Sequence, residues 1–301
     1  MKLTILGCHS ATPRIIAHTT SQVLETRGHH FLIDCGEGTQ IELRHHKLKF
    51  NQIKHIFISH LHGDHYFGLI GLISTFRLLR REVDLNIYGP KGLKEIITLQ
   101  LKLSNSWTNF NLIFHELDAK DSQCIFEDDK VEVHTIPLDH RVYTNGFLFK
   151  EKPFDRKLLI EKAEAKNIDI AYYRKLKQGA DVYNQDGVLI KNTEVTTDGR
   201  IPKRYAFCSD TAYSEAIIPI IQGVDVMYHE STFLEDQAAL CEKTKHSTAK
   251  QAATIANKAR VGRLILGHYS SRYKDLEPFK NEAMTVFKQV ALAKDGKIFH
   301  I

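Results

Sequence analysis

Disulfide chemistry, membrane spans and a strong charge of either sign are all lacking in this 301-residue chain. Its five cysteines, Cys8, Cys35, Cys124, Cys208 and Cys241, are odd in number and form no CxxC pair, which argues against a disulfide framework and for a reducing compartment. No stretch approaches the roughly 18 apolar residues of a membrane helix. The opening run Met1-Lys2-Leu3-Thr4-Ile5-Leu6-Gly7 is too short for a secretory signal and reads as a first strand. Tandem repeats and low-complexity stretches are missing as well. These absences predict a cytoplasmic protein without membrane contact. Charge is nearly balanced: 41 Lys and Arg against 36 Asp and Glu leave a net +5, too little to favour nucleic acid over any other partner. With 43% hydrophobic and 26% charged residues, the chain can bury a substantial core in one large domain or two.

Histidine is plentiful, with 17 in the chain. Three of them, with a carboxylate, fall within six residues in His60-Leu61-His62-Gly63-Asp64-His65, directly after the apolar run Ile56-Phe57-Ile58-Ser59. The run has strand length and β-branched content, and Tyr66 to Leu79 carries apolar residues at helical spacing, so the motif lies on a loop between strand and helix. In extended backbone His60 and His62, two apart, project to the same side, as a chelating pair requires. Asp64 and His65 are adjacent, point in different directions and can serve a second ion. Imidazole with carboxylate suits Zn²⁺ best, with Mn²⁺ also fitting, and no thiolate is nearby to suggest a closed structural zinc site. From the chain's own His and Asp frequencies this pattern would arise by accident with a probability of roughly 0.003, so solvated loop histidines account for it poorly.

Further donors have to come from the ends of other apolar runs, and three fit. Val131-Glu132-Val133-His134-Thr135-Ile136-Pro137 alternates like a half-buried strand and leads to Asp139-His140. Arg204-Tyr205-Ala206-Phe207-Cys208-Ser209 runs into Asp210-Thr211, and Arg263-Leu264-Ile265-Leu266-Gly267 into His268-Tyr269. Any one of these alone reads as a structural His or a helix-capping Asp. Together with the first motif they complete two coordination shells. His246 stands before Ser247-Thr248-Ala249-Lys250-Gln251, a helix start with a capping hydroxyl, where a residue can also simply pack locally.

The order HxHxDH, then His, Asp and His, resembles the metallo-β-lactamase superfamily. More narrowly, Asp34-Cys35-Gly36-Glu37-Gly38-Thr39-Gln40, Ser209-Asp210-Thr211, His229-Glu230-Ser231-Thr232-Phe233 and His246-Ser247-Thr248 resemble the ribonuclease Z family, endonucleases that mature the 3′ end of tRNA. By this resemblance His60, His62 and His140 would bind a first zinc, Asp64, His65 and His268 a second, and Asp210 would bridge both. It further implies two Zn²⁺ per chain, with Mn²⁺ as a substitute, and a hydroxide generated at the metals that attacks precursor tRNA and leaves a 3′-hydroxyl. Asp64 would be the general base or hydroxide orienter, His246 would stabilise or protonate the phosphate being cleaved, and Glu230 would orient His246. A homodimer is implied too. The runner-up is another hydrolase of the superfamily, a small-molecule phosphodiesterase or an arylsulfatase-like enzyme with the same metals.

Strand and helix alternate on both sides of a segment from residue 152 to 203, which predicts an α/β (α+β) fold: two sheets face to face with helices outside, the αβ/βα sandwich, carrying an inserted arm. Strands are expected at Leu3 to Leu6, Gln22 to Thr26, Phe31 to Cys35, Ile56 to Ser59, Leu85 to Tyr88, Tyr205 to Ser209, Val224 to Tyr228 and Arg263 to Gly267. Helices are expected at Thr39 to Leu48, His65 to Arg80, Lys91 to Leu103, Ser214 to Gln222, Thr248 to Ala259 and Glu277 to Leu292. From Lys150 to Arg204 there are 13 Lys and Arg against 9 Asp and Glu, a surplus of four, so most of the net positive charge sits there. A helix around Arg156 to Lys166 is followed by Tyr172-Tyr173-Arg174-Lys175-Leu176-Lys177, a mixture suited to base stacking and phosphate contact, or to a solvated surface insertion. The resemblance makes it a tRNA-gripping arm, although Ile168 to Tyr173 lacks the Gly and Pro of related arms. The first loop, His9-Ser10-Ala11-Thr12-Pro13-Arg14, also replaces a glycine-richer one.

Overall fold

Unbroken apolar runs make strands here because both faces of each sheet are covered. In the strand His29–Ile33, Phe31 and Ile33 join one buried cluster and Leu32 another. Around the strand Ile53–Phe57 the same split sends Phe57 one way and Ile56 the other. The computed structural model describes all residues except Pro13 and Ile16, so Pro13 of the first loop lies outside the described residues. It contains two compact units, residues 1–150 with 203–301, and residues 151–202.

The larger unit holds two seven-stranded sheets. One has the order Ile298–His300, Lys2–Gly7, Ser21–Thr26, His29–Ile33, Ile53–Phe57, Leu85–Pro90, Leu112–Leu117, with parallel pairing from His29–Ile33 onward. The other has the order Val290–Leu292, Arg263–Gly267, Val226–Glu230, Arg204–Cys208, Asn145–Glu151, Val131–Pro137, Cys124–Glu127, its first four strands parallel. Aromatic rings bridge the sheets: Phe57 lies 5.4 Å from Phe147, Phe31 lies 5.4 Å from Phe149, and the Tyr205 hydroxyl donates to Gln22 Oε1 at 2.5 Å. Outside the first sheet, helix Gly68–Leu78 buries Leu69, Leu72, Ile73 and Phe76, the i, i+3, i+4, i+7 stripe of an amphipathic helix. Outside the second, helix Ala249–Lys258 presents Ala252, Ala253 and Ala256, small side chains that let helix and sheet approach closely, together with Ile255. Four layers result, in the expected αβ/βα order.

The helix expected over Glu277 to Leu292 ends at Met284, and Val290–Leu292 instead pairs with Leu264 to Leu266 as a parallel edge strand. A short apolar run has no period of its own, so only the sheet edge decided its state. The helix expected over Ser214 to Gln222 is a 3₁₀ turn, Glu215–Ile217, running into a short helix, Ile218–Ile221. Leu112–Leu117, Cys124–Glu127 and Asn145–Glu151 are strands that the pattern did not announce.

The smaller unit has its own core of Ala163, Ile168, Leu176, Val182, Ile190 and Val195. Two short ribbons, Lys157–Leu158 with Thr196–Thr197 and Val182–Tyr183 with Leu189–Ile190, frame the helices Ile160–Ala165, Tyr173–Lys177 and Asn192–Val195. The helix expected from Arg156 to Lys166 is therefore a strand followed by a shorter helix. Arg174, Lys175 and Lys177 are exposed around the buried Leu176, and Lys175 Nζ sits 5.4 Å from the centre of the Tyr172 ring.

Helix Ala249–Lys258 begins with a reciprocal cap: Gln251 N donates to Thr248 Oγ1 at 3.1 Å and Thr248 N donates to Gln251 Oε1 at 3.0 Å. Thr248 is fully buried, so no water can replace the lost bond. Thr248→Ala is expected to destabilise the protein by about 1–2 kcal/mol in urea unfolding, with the denaturant slope unchanged.

Candidate metal centre

The seven metal-type donors follow the carboxyl ends of strands from both sheets, whereas His246 lies between the helices Ala238–Thr244 and Ala249–Lys258. Ile53–Phe57 leads to Ser59, His60 and His62; a short helix, Gly63–Tyr66, then redirects the chain at Asp64 and His65. Val131–Pro137 leads to His140, Arg204–Cys208 to Asp210, and Arg263–Gly267 to His268. His268 and Asp34 have left-handed backbones, φ 59° and 55°, uncommon for residues with a Cβ and held here by their buried surroundings.

Two groups of donor atoms form around Asp210. His60 Nε2 lies 3.6 Å and His140 Nε2 4.0 Å from Asp210 Oδ2, while His62 Nδ1 is 3.0 Å from His60 Nε2 and 3.3 Å from His140 Nε2. On the other side, Asp210 Oδ1 is 3.4 Å from His65 Nε2 and 3.2 Å from His268 Nε2, and Asp64 Oδ2 is 3.4 Å from each of the same nitrogens. An ion holding nitrogens at 2.0–2.1 Å in a tetrahedron requires donor separations of about 3.4 Å, so both groups suit a small divalent cation. His65 Nε2 is buried and has no hydrogen-bond partner, which fits a nitrogen whose lone pair serves a metal ion.

Most of the imidazoles are fixed from behind through their second ring nitrogen. His65 Nδ1 meets Asp34 Oδ2 at 2.7 Å, His60 Nδ1 meets Ser59 Oγ at 3.0 Å, His140 Nδ1 donates to the Lys245 carbonyl at 2.8 Å, and His268 Nδ1 meets Thr232 Oγ1 at 2.9 Å. Asp34 is itself tied down, accepting from Ser59 N at 2.7 Å and Ser59 Oγ at 2.9 Å. Its loop clamps the metal-motif loop: Cys35 N donates to the His65 carbonyl at 2.7 Å and Gly68 N to the Cys35 carbonyl at 2.9 Å. A Cβ on Gly68 would stand 2.0 Å from the Gly36 carbonyl oxygen, and one on Gly36 would stand 2.2 Å from Thr19 Oγ1, so separate close approaches explain glycine at the two positions.

The charge balance also invites cations. Asp34, Asp210 and Glu230 are buried and Asp64 is nearly so, an arrangement that costs several kcal/mol per group unless positive charge compensates. Burial opposes ionisation of Asp210, but His268, His65 and His60 together hold its carboxyl well below the usual carboxylate range. Burial keeps His60, His62 and His140 neutral, with lowered pKa values, which is the form that donates a lone pair. His65 behaves oppositely: burial would neutralise it, yet Asp210, Asp64 and Asp34 outweigh that and raise its pKa.

His246 forms the third side of the cleft. Its ring and those of His140 and His268 are 5.2 and 5.4 Å apart, centre to centre, and its donor atom groups with those of Asp210 and His268. His246 Nδ1 bonds Glu230 Oε1 at 2.9 Å, and against the cost of burial this carboxylate raises the His246 pKa to about 9. Glu230 also accepts from Thr211 N, Ser247 N and Thr232 Oγ1 at 3.1, 3.1 and 2.8 Å, so one buried carboxylate joins three loops. The structure gathers the expected residues in one place and adds Asp34, Ser59 and Thr232 as their supports. Asp34 carried a signal, a carboxylate closing an apolar run just as Asp210 does; Ser59 and Thr232 carried none beyond their motifs.

Known proteins resemble this chain in fold and in sequence. The family model for "Anti-Pycsar protein Apyc1" matches residues 1–160. The metallo-β-lactamase fold protein YhfI from Bacillus subtilis superposes with a TM-score of 0.69 at 19% identity, covering 99% of this chain and 98% of its own, which establishes the fold. The short form of human tRNase Z gives a TM-score of 0.74 at 26% identity, over 100% of this chain and 99% of its own. Ribonuclease Z of Porphyromonas gingivalis strain W83 is 46% identical over 97% of this chain and 96% of its own length. With that similarity running over nearly the whole length of both chains, the chain belongs to the ribonuclease Z family of the metallo-β-lactamase fold.

Proposed function

We propose that the protein is a two-zinc endoribonuclease that removes the 3′ trailer from precursor tRNA and leaves a 3′-hydroxyl, with Mn²⁺ able to substitute. One observation carries this reading: Asp210 turns one oxygen to each of two donor groups, in a chain 46% identical to a ribonuclease Z over nearly its whole length. In this proposal His60, His62 and His140 hold one ion, Asp64, His65 and His268 the other, and Asp210 both. Bound there, the ions supply Lewis acidity toward phosphoryl oxygens and lower the pKa of a water molecule.

The chain's own groups do the rest. Asp64 accepts from Ala11 N through Oδ2 at 2.9 Å, which orients its carboxylate, and His65 and His268 keep it ionised despite its burial, so it can accept and align the proton of an attacking water. His246, charged near neutral pH and anchored through Nδ1, has Nε2 left to donate to a phosphoryl or departing oxygen. Glu230 positions it. The exposed Arg174, Lys175 and Lys177 with Tyr172 suit phosphate and base contact, and on the family resemblance we assign unit 151–202 to tRNA gripping within a homodimer. Among the described residues, no helix is long and apolar enough to cross a membrane.

Purified protein stripped with chelator and given back Zn²⁺ is expected to cleave a precursor tRNA next to the discriminator base, and an Asp64→Ala variant to lose that cleavage. Intact RNA alongside zinc-dependent hydrolysis of a small aryl phosphodiester would transfer the assignment to a small-molecule hydrolase. Replacing Arg174, Lys175 and Lys177 together by Ala is expected to raise KM for the precursor, flatten its salt dependence by about two to three phosphate contacts, and spare the aryl substrate. Asp34→Ala leaves Ser59 and His65 Nδ1 without their buried acceptor; competition with a chelator should show zinc affinity reduced by about 10–100-fold.

A further inference from the structure

A second, chemically different group of metal-type donors lies where the first loop meets the C-terminal end of the chain. Cys8 is fully buried, and its Sγ donates to Asp295 Oδ1 at 3.4 Å. A ring nitrogen of His9, the Cys8 sulfur and an Asp295 oxygen all lie within 4.8 Å of one another. His9 Nδ1 is buried without a hydrogen-bond partner. Asp295 is held in place by its other oxygen, which accepts from His18 N at 2.8 Å and meets His18 Nδ1 at 3.0 Å. The side chain of Asp295 keeps 17% exposure, so an ion can enter from solvent.

We propose that Cys8, His9 and Asp295 form a third metal site, selective for Zn²⁺, with His18 positioning Asp295 and water completing the coordination. A zinc–sulfur bond near 2.3 Å and a zinc–oxygen bond near 2.0 Å span a tetrahedral edge of about 3.5 Å, close to the 3.4 Å between Cys8 Sγ and Asp295 Oδ1. Mixed thiolate, imidazole and carboxylate favours Zn²⁺ over the harder Mg²⁺ and Ca²⁺. Binding moves one proton, from the Cys8 thiol to solvent, as the sulfur bonds the ion; no oxidant or reductant takes part. Burial and Asp295 raise the Cys8 pKa, so the thiol stays protonated and unreactive until an ion arrives. The site would brace the active cleft, because Tyr269 N, next to His268, donates to the Cys8 carbonyl at 3.2 Å, and Ala11 N of the same loop orients Asp64.

Cobalt loading tests this directly, since the donor groups around Asp210 contain no sulfur. Metal-free full-length protein titrated with Co²⁺ is expected to develop a near-ultraviolet thiolate-to-cobalt absorption band. Cys8→Ser should abolish the band and bind one metal fewer per chain, and Asp295→Asn, nearly the same shape, should weaken it while leaving the fold intact. His9→Gln, near the surface, should shift the visible cobalt bands. A wild-type protein without the band, a band that survives Cys8→Ser, or equal metal content in wild type and the Cys8→Ser and Asp295→Asn variants would overturn the proposal. If Cys8→Ser fails to fold, the Asp295→Asn and His9→Gln titrations decide alone.

Discussion

A carboxylate buried to 2% exposure with imidazoles on both of its oxygens is the constraint around which the cleft is built. Asp210 ends a central strand of the second sheet, whereas His60, His62 and His65 follow a central strand of the first. Neither sheet could satisfy this anion alone. The face-to-face packing of Phe57 on Phe147 and of Phe31 on Phe149 sets the separation of the sheets, and thereby the distance at which Asp210 meets its histidines. Core packing and site geometry are thus one arrangement.

Around that centre, two more buried carboxylates act as joints between loops. Asp34 ties the loop after His29–Ile33 to Ser59 and His65, and Glu230 ties the Thr211, Thr232 and His246 loops together. Each accepts several hydrogen bonds from groups that water cannot reach, so the loops are rigid although they lie outside the sheets. Rigid placement matters because donor atoms a fraction of an ångström apart from their ideal positions bind an ion much less well. The left-handed backbones of Asp34 and His268 are part of this arrangement: strain at two strand ends is held by the hydrogen bonds their side chains make.

The two units differ in how they achieve order. The larger one buries long apolar strands on both faces, while the smaller relies on six buried side chains and short ribbons, leaving Ile170 at 77% and Tyr172 at 37% exposure beside its lysines.

What the sequence determined by itself was the material of the site and the layering of the fold. His60 to His65 carry their chemistry in six consecutive residues, and His140, Asp210 and His268 each follow an apolar run, so local order alone points to them. The strand expected from Phe31 to Cys35, observed as His29–Ile33, is legible because its apolar run is short, partly aromatic and flanked by polar residues. Tertiary structure decided the remainder. Val290–Leu292 became a strand only because the edge of Arg263–Gly267 was free to pair, and Asp34 became the support of His65 only because residues 31 positions apart were folded against each other. Cys8 and Asp295, at opposite ends of the chain, meet for the same reason. Sequence spacing specifies which side chains leave a strand together; which of them share a buried volume depends on how two sheets close over a common core, and that is set by packing between residues far apart in the chain.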